Sequence, residues 1–152
     1  MLNQYTAVGI QNVSRMAVTR DDYMKDLESL AISIRYAVWN CGLDMQVKLV
    51  AISEGGIGGW CLGGGEEHLR IYREVAPEIP GRETDFLGDL ARELGVHIVA
   101  SMVAKDPELM EDRVFNIAFI IDPQGQVIHK HYKTAFYQKE PNTAPSDIWD
   151  LY

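Results

Sequence analysis

The sequence is poor in cysteine, in basic residues and in long apolar runs. Its 152 residues include 2 cysteines, too few for the disulfide framework of a secreted domain, so a reducing, cytoplasmic compartment is expected. Lys and Arg number 14 against 22 Asp and Glu, which disfavours a nucleic-acid partner because phosphate binding requires surplus cations. No apolar run approaches the ~18 residues of a membrane span, and no signal peptide precedes the first strand.

Glycine is frequent in residues 55–65, but the phosphate-binding glycine motifs are missing. A G-x-G-x-x-G match that begins at Gly56 needs a third glycine where Cys61 stands, and one from Gly63 needs it where His68 stands. The lysine-containing phosphate loop pattern is also absent, and acids flank the segment. The segment therefore predicts a flexible or tightly turning loop, and no cofactor is expected.

Hydrophobic periodicity predicts a single α/β domain. Strands are expected at 5–13, 47–53, 96–104, 115–122 and 127–134, and helices at 19–42, 66–75 and 82–95. Two helices carry apolar stripes, namely Tyr23, Leu27, Leu30, Ile34 and Val38, and then Phe86, Leu87, Leu90, Ala91 and Leu94. Early β-α-β units followed by a hairpin imply a mixed sheet with helices packed on it.

An acid follows the second predicted strand. Glu54 comes directly after residues 49–53, which carry no charge, and ligands of α/β sheets gather beyond the carboxyl ends of strands. A carboxylate partly removed from water there has a raised pKa, which suits a general base. The alternative is an acid that faces solvent or caps the next segment.

The last predicted strand carries a lysine and two histidines on one face. Lys133 lies at its end, where an ammonium could stabilise an oxyanion, although a solvated strand-end lysine gives the same pattern. His129 and His131 could supply two metal ligands, but a closed site takes about four, so no metal is predicted. Cys41 and Cys61 lack a neighbouring His or a nucleophile elbow and are interpreted as structural or incidental.

Three stretches together resemble the nitrilase, or carbon–nitrogen hydrolase, superfamily. They are LVAISEGGIGGW (49–60), EIPGRETDFLGDLARELGVHIVASMV (78–103) and FNIAFIIDPQGQVIHKHYKT (115–134), similar to its first-acid motif, its middle block and its lysine motif. The resemblance runs from about residue 5 to the end. It implies an α-β-β-α sandwich, of which residues 1–152 would be the N-terminal part, with a mixed sheet and helices packed on one face.

The resemblance also implies a Glu-Lys-Cys covalent thiol mechanism on a small amide, N-carbamoyl compound or nitrile. Glu54 takes the place of the general base, and Lys133, not Lys130, the place of the catalytic lysine. Glu140, seven residues after Lys133, matches a second glutamate that orients substrate. A homo-oligomer is expected of the full-length protein.

Two departures from the family pattern stand out. Ser53 occupies a position where the family usually has Pro, and no cysteine follows Cys61, although the family's nucleophile lies downstream of the lysine. The chain also stops within an apolar segment, DIWDLY. We therefore expect a truncated domain that is inactive alone and, with an open sheet, poorly soluble.

Two other interpretations stay open at this point. The first is a non-catalytic α/β module, or a degenerate family member, that binds a small ligand at the loop 55–65. The second is a metal hydrolase built on His129 and His131. A cysteine after an apolar strand in the complete reading frame favours the thiol enzyme over the binding module. A full-length protein without stoichiometric Zn excludes the metal hydrolase.

Overall fold

A computed structural model describes residues 4–13, 15–60, 66–111 and 113–135 of the chain. The expected element order is confirmed: β1 Thr6–Ile10, α1 Arg20–Cys41, β2 Val47–Ile52, α2 Glu66–Val75, α3 Arg82–Leu94, β3 His97–Ala104, β4 Phe115–Ile121 and β5 Val127–Tyr132. The first strand is shorter than predicted, since it ends at Ile10 rather than at residue 13. Within the described ranges, no helix has the length and apolarity needed to cross a membrane.

The five strands form one mixed sheet in the order β1-β2-β3-β4-β5. β1, β2 and β3 pair in parallel, whereas β4 is antiparallel to both β3 and β5. As a result β2, β3 and β5 all run in one direction and β4 runs in the other. The ends of β2 and β5 and the beginning of β4 therefore meet at the same edge of the sheet.

Helices α1 and α3 cover one face of this sheet. Their buried side chains share a hydrophobic core with alternate residues of the strands. Among the core members are Leu27, Ile34, Leu87, Leu90, Val50, Ile98, Met102, Ile117 and Phe119. Both predicted helix stripes are confirmed, although Val38, Phe86 and Leu94 lie at the margin of the core and are only partly buried.

The predicted helix boundaries also hold. Thr19 and Asp22 form the capping box that begins α1, and Gly95 ends α3 in the left-handed conformation at φ 65°. A salt bridge of 2.9 Å between Arg20 and the fully buried Glu83 joins the first turns of the two helices. Arg20 also donates to the carbonyl oxygen of Ala76, so one guanidinium ties three segments together.

The turn between β4 and β5 rests on α3. Gly125, at φ 79°, occupies the turn, and a Cβ on Gly88 of α3 would lie 2.6 Å from its carbonyl oxygen. Arg92 donates to the carbonyl oxygen of Gln124 over 3.0 Å. These contacts anchor the hairpin, and with it the position of β5.

The opposite face of the sheet is more open. Five of its apolar residues are only partly buried, namely Leu49, Ala51, Val99, Ala118 and Ile120. Near the end of β3, Tyr72 of α2 packs with Val103 and Val114 in a second, smaller cluster. The open apolar face agrees with the expectation from sequence, whereas poor solubility stays a prediction.

Two isoleucines of α1 provide a matched test of this packing. Ile34 is 0% exposed, whereas Ile32 is 70% exposed. Ile34→Ala leaves a cavity in the core and should lower the free energy of unfolding by about 2–5 kcal/mol. Ile32→Ala should change it by less than about 0.5 kcal/mol, as measured by urea denaturation. Equal losses for the two variants would contradict the assigned helix orientation.

Candidate active site

Glu54 lies at the edge where β2 ends. The backbone N–H of Ser53 donates to the carbonyl oxygen of Ile10 over 3.2 Å, as in the preceding strand. The chain then turns, and the N–H of Gly56 donates to the carbonyl oxygen of Ser53 over 2.9 Å. Glu54 is the first residue of this turn. Its side chain is 52% exposed, so the carboxylate is accessible from solvent.

The glycines after Glu54 form a tightly packed turn. Gly55 has φ 70°, and a Cβ on it would lie 2.0 Å from the indole Nε1 of Trp60. Gly58, at φ 73°, lies against the ring of Tyr23 and donates its N–H to Asp26 over 3.1 Å. Over residues 55–59, the structure therefore favours the tight turn over the flexible loop.

Lys133 follows the end of β5 and reaches Glu54. Its backbone N–H donates to the Asn116 carbonyl oxygen over 2.9 Å, which extends the ladder between β4 and β5 by one residue. Its Nζ lies 3.0 Å from Glu54 Oε1 and 5.4 Å from the centre of the Trp60 ring. Lys133 is 25% exposed, so the ammonium is partly withdrawn from water beside both the carboxylate and the aromatic face.

Asn116 connects the two charged residues. It lies on β4, is 3% exposed, and its Nδ2 donates to Glu54 Oε1 over 2.8 Å. The same residue therefore holds Glu54 through its side chain and Lys133 through its backbone. The sequence signal for Asn116 is a single amide within the apolar run FNIAFII. Sequence reasoning misses both Asn116 and Trp60.

The predicted direction of the Glu54 pKa is wrong. Partial burial alone raises the pKa of Glu54. Hydrogen bonds from Lys133 and Asn116 and the charge of Lys133 lower the pKa, and together they outweigh the effect of burial. The pKa of Glu54 consequently lies below its ordinary value, and the group is ionised at neutral pH. The prediction considered burial alone, because the partners come from distant parts of the sequence.

The charged pair opens onto a cavity of about 410 Å³. Its apolar walls include Ile52, Val99, Ala118 and Ala135, and its polar groups include Glu54, Ser101, Asn116, His131 and Lys133. A larger cavity of about 660 Å³ lies between the end of β1 and α1 and contains neither Glu54 nor Lys133. The larger cavity also has charged groups, from Arg15, Lys25 and Asp26. We take the smaller cavity as the candidate site, because Glu54 and Lys133 line it and contact each other over 3.0 Å.

The other lysine of the last strand has a separate role. Lys130 and Tyr132 point to the opposite side from Lys133, and both bind the carboxylate of Asp106. Asp106 is buried, so this cluster fixes the loop after β3 to β5. The pairing agrees with the choice of Lys133 over Lys130 as the site lysine.

Of the remaining candidate residues that the structure describes, His131 lines the cavity, whereas His129 and Cys41 do not. His129 and His131 are exposed, and the described residues contain no group of three or more His, Cys, Asp or Glu that could hold a metal ion. Cys41 is a free, exposed thiol at the last position of α1. Glu140 and Cys61 lie outside the described residues.

A comparison with protein families decides the relationship. The family model described as carbon-nitrogen hydrolase matches residues 10–149. The chain belongs to the carbon–nitrogen hydrolase family. This membership confirms the resemblance carried by the acid and lysine motifs.

Individual carbon–nitrogen hydrolases match over parts of their length. A nitrilase of Pyrococcus abyssi is 36% identical over 84 residues, 51% of this chain and 30% of the relative. A formamidase of Bacillus cereus is 42% identical over 55 residues, 36% of this chain and 16% of the relative. The crystal structure of Nit3 from Saccharomyces cerevisiae, a nitrilase superfamily member, has a TM-score of 0.65 at 25% identity and covers 87% of this chain and 44% of its own. The chain thus spans less than half the length of each of these proteins.

The hydrogen bonds to Glu54 lead to a titration prediction. Lys133→Met and Asn116→Ala each remove a group that lowers the pKa of Glu54, so both variants should show a higher pKa for this carboxyl by ¹³C NMR titration. A lowered folded-state pKa contributes stability above the unfolded-state pKa, and this stability is lost as pH falls through the folded-state value. The variants should lose less stability on acidification.

The exposed Asn40 of α1 provides the control for this titration, because Asn40→Ala should leave the pKa of Glu54 unchanged. An unchanged pKa in both site variants would contradict the assigned contacts.

Two left-handed glycines separate backbone strain from a steric contact. Gly55 and Gly95 have φ 70° and 65°, but a Cβ on Gly95 meets nothing within 4 Å, whereas one on Gly55 meets Trp60. Gly95→Ala should lower the free energy of unfolding by about 1–2 kcal/mol through strain alone. Gly55→Ala should cost more and shift the Trp60 indole N–H resonance, measured by urea denaturation and NMR. Equal losses with an unmoved Trp60 signal would contradict this packing.

Proposed function

We propose that this chain contributes the general base and the catalytic lysine of a hydrolase that cleaves non-peptide carbon–nitrogen bonds. The substrate is a small amide, an N-carbamoyl compound or a nitrile. The observation that carries the proposal is the 3.0 Å contact between Lys133 Nζ and Glu54 Oε1 at a cavity of about 410 Å³. Membership of the carbon–nitrogen hydrolase family and relatives named nitrilase and formamidase support it.

The first half of the reaction forms a covalent intermediate. Glu54 accepts the proton of a cysteine thiol, and the thiolate attacks the amide carbon. Negative charge then develops on the substrate oxygen, where the ammonium of Lys133 stabilises it. Glu54 returns the proton to the departing nitrogen, so that ammonia or an amine leaves and a thioester is formed.

The second half releases the acid. Glu54 accepts a proton from water as the water attacks the thioester, and the proton returns to the thiolate as the carboxylic acid leaves. An amide consumes one water in the whole cycle, and a nitrile, which passes through a thioimidate, consumes two. Glu54 is ionised at neutral pH, so it can accept a proton when each cycle begins.

We place the nucleophilic thiolate in polypeptide beyond this sequence. The family's cysteine lies downstream of the lysine, whereas the chain's cysteines, Cys41 and Cys61, precede Lys133. Within such a longer protein, residues 1–152 are the N-terminal part of the catalytic domain, and Glu140 orients the substrate. Homo-oligomerisation and a cytoplasmic location stay predictions.

Ammonia release tests this proposal. The 152-residue chain alone should release none from formamide, propionamide or propionitrile, whereas the protein encoded by the complete reading frame should hydrolyse at least one of them. In that protein Glu54→Gln and Lys133→Met should each lower kcat/KM by at least about 100-fold, while Lys48→Met, an exposed lysine of β2, should leave it unchanged. Turnover by the 152-residue chain would overturn the placement of the nucleophile. A full-length protein without turnover would favour the binding module or the degenerate member.

A further inference from the structure

One buried hydroxyl in the cavity has no partner. Ser101 is 6% exposed, and its Oγ makes no hydrogen bond among the described residues. It lines the same cavity as Glu54 and Lys133. Buried polar atoms nearly always have a hydrogen-bond partner, so an unpaired one inside a cavity points to a ligand or a bound water.

Ser101 lies further from the strand ends that carry the charged pair than Asn116 does. On β3 it pairs with Ala118, whereas Val103 pairs with Asn116. Asn116 accepts the backbone N–H of Lys133, so it marks the level of the charged pair. Two residues along a strand correspond to about 7 Å, so Ser101 lies one row further into the sheet than Asn116. We call this inner row of the cavity lining its floor.

The floor around this hydroxyl is otherwise apolar. Val99 and Ala118 line the cavity on the neighbouring positions, and Ala118, which pairs with Ser101, leaves room because its side chain is a single methyl group. His131 pairs with Ala118 from the other side but is exposed on β5. Ser101 is therefore the buried polar group of the floor that can discriminate between substrates by hydrogen bonding.

We propose that Ser101 is a specificity-determining residue that binds a hydrogen-bonding atom on the acyl side of the substrate, a role that rests on the proposed function. With the reacting carbon beside Glu54 and Lys133, about 7 Å separates the two rows, and a hydrogen bond takes up about 3 Å of it. The remaining distance, from the reacting carbon to the substrate atom that bonds to Ser101, corresponds to about two or three covalent bonds. The preferred substrate is accordingly a short amide or nitrile with a hydroxyl group at its second or third carbon.

A pair of amides of nearly equal shape tests the role. The protein encoded by the complete reading frame should hydrolyse 3-hydroxypropionamide with a higher kcat/KM than butyramide, in which a methyl replaces the hydroxyl. Ser101→Ala should lower the ratio of the two values by about tenfold, because the substrate hydroxyl loses its partner. Ser101→Thr, which keeps a hydroxyl, should retain more of the preference than Ser101→Ala.

Ser29, an exposed serine of α1, supplies the matched control, since Ser29→Ala should leave the ratio unchanged. Hydrolysis of both amides with an unaltered ratio in Ser101→Ala would overturn the role of Ser101 and leave the proposed function standing. In that case the hydroxyl binds water only.

Binding without turnover separates the two proposals. If the full-length protein hydrolyses neither these two amides nor formamide, propionamide or propionitrile, the proposed function fails, and Ser101 is judged on the 152-residue chain by titration with 3-hydroxypropionamide. Turnover of one of the other three substrates without turnover of 3-hydroxypropionamide leaves the proposed function standing and overturns the role of Ser101. The titration follows the shift of the Trp60 indole N–H resonance. An apparent affinity that is at least about tenfold weaker for Ser101→Ala than for the unchanged chain supports the contact. An equal shift in the two chains, or none in either, overturns it.

Discussion

The ion pair between Glu54 and Lys133 joins two strands that are not neighbours. β3 and β4 separate β2 from β5, and adjacent strands lie about 4.8 Å apart, so the two backbones are about 14 Å apart. Two long side chains bridge this gap from opposite sides, and Asn116 holds the carboxylate from β4 in between. The pairing requires that β2 and β5 end, and β4 begin, at one edge. The strand order, the antiparallel hairpin and its anchoring on α3 together bring these strand ends to that edge, so the contact depends on all three features.

Local signals in the sequence were sufficient for the elements and for the two charged residues. Apolar stripes, the capping box at Thr19 and the closing Gly95 depend on residues a few positions apart, and the helices formed as expected. Glu54 and Lys133 were recognisable because each places a charge directly after a strand. Family motifs then ranked Lys133 above Lys130, and the pairing of Lys130 with Asp106 agrees with that choice.

The features that sequence reasoning missed depend on which residues face each other across the sheet. Asn116 becomes a ligand of Glu54 through contacts between positions 62 residues apart, and a pattern within one strand does not reveal such a partner. The direction of the Glu54 pKa failed for the same reason, since burial was foreseeable and the opposing hydrogen bonds were not. Sequence reasoning does not identify Ser101, because one serine in an apolar strand does not reveal whether its hydroxyl is paired.

The alternation of side chains along β4 separates structural and chemical demands within a single strand. Phe115 and Ile117 enter the core beneath the helices, while Asn116 between them faces the charged pair. A substitution at a core position of this strand therefore leaves unchanged the residue that contacts Glu54. Conversely, a shift of the strand by one residue exchanges the two sets at once. A sheet with shifted register would lose its core and its chemistry together, so selection for activity also selects for correct strand pairing.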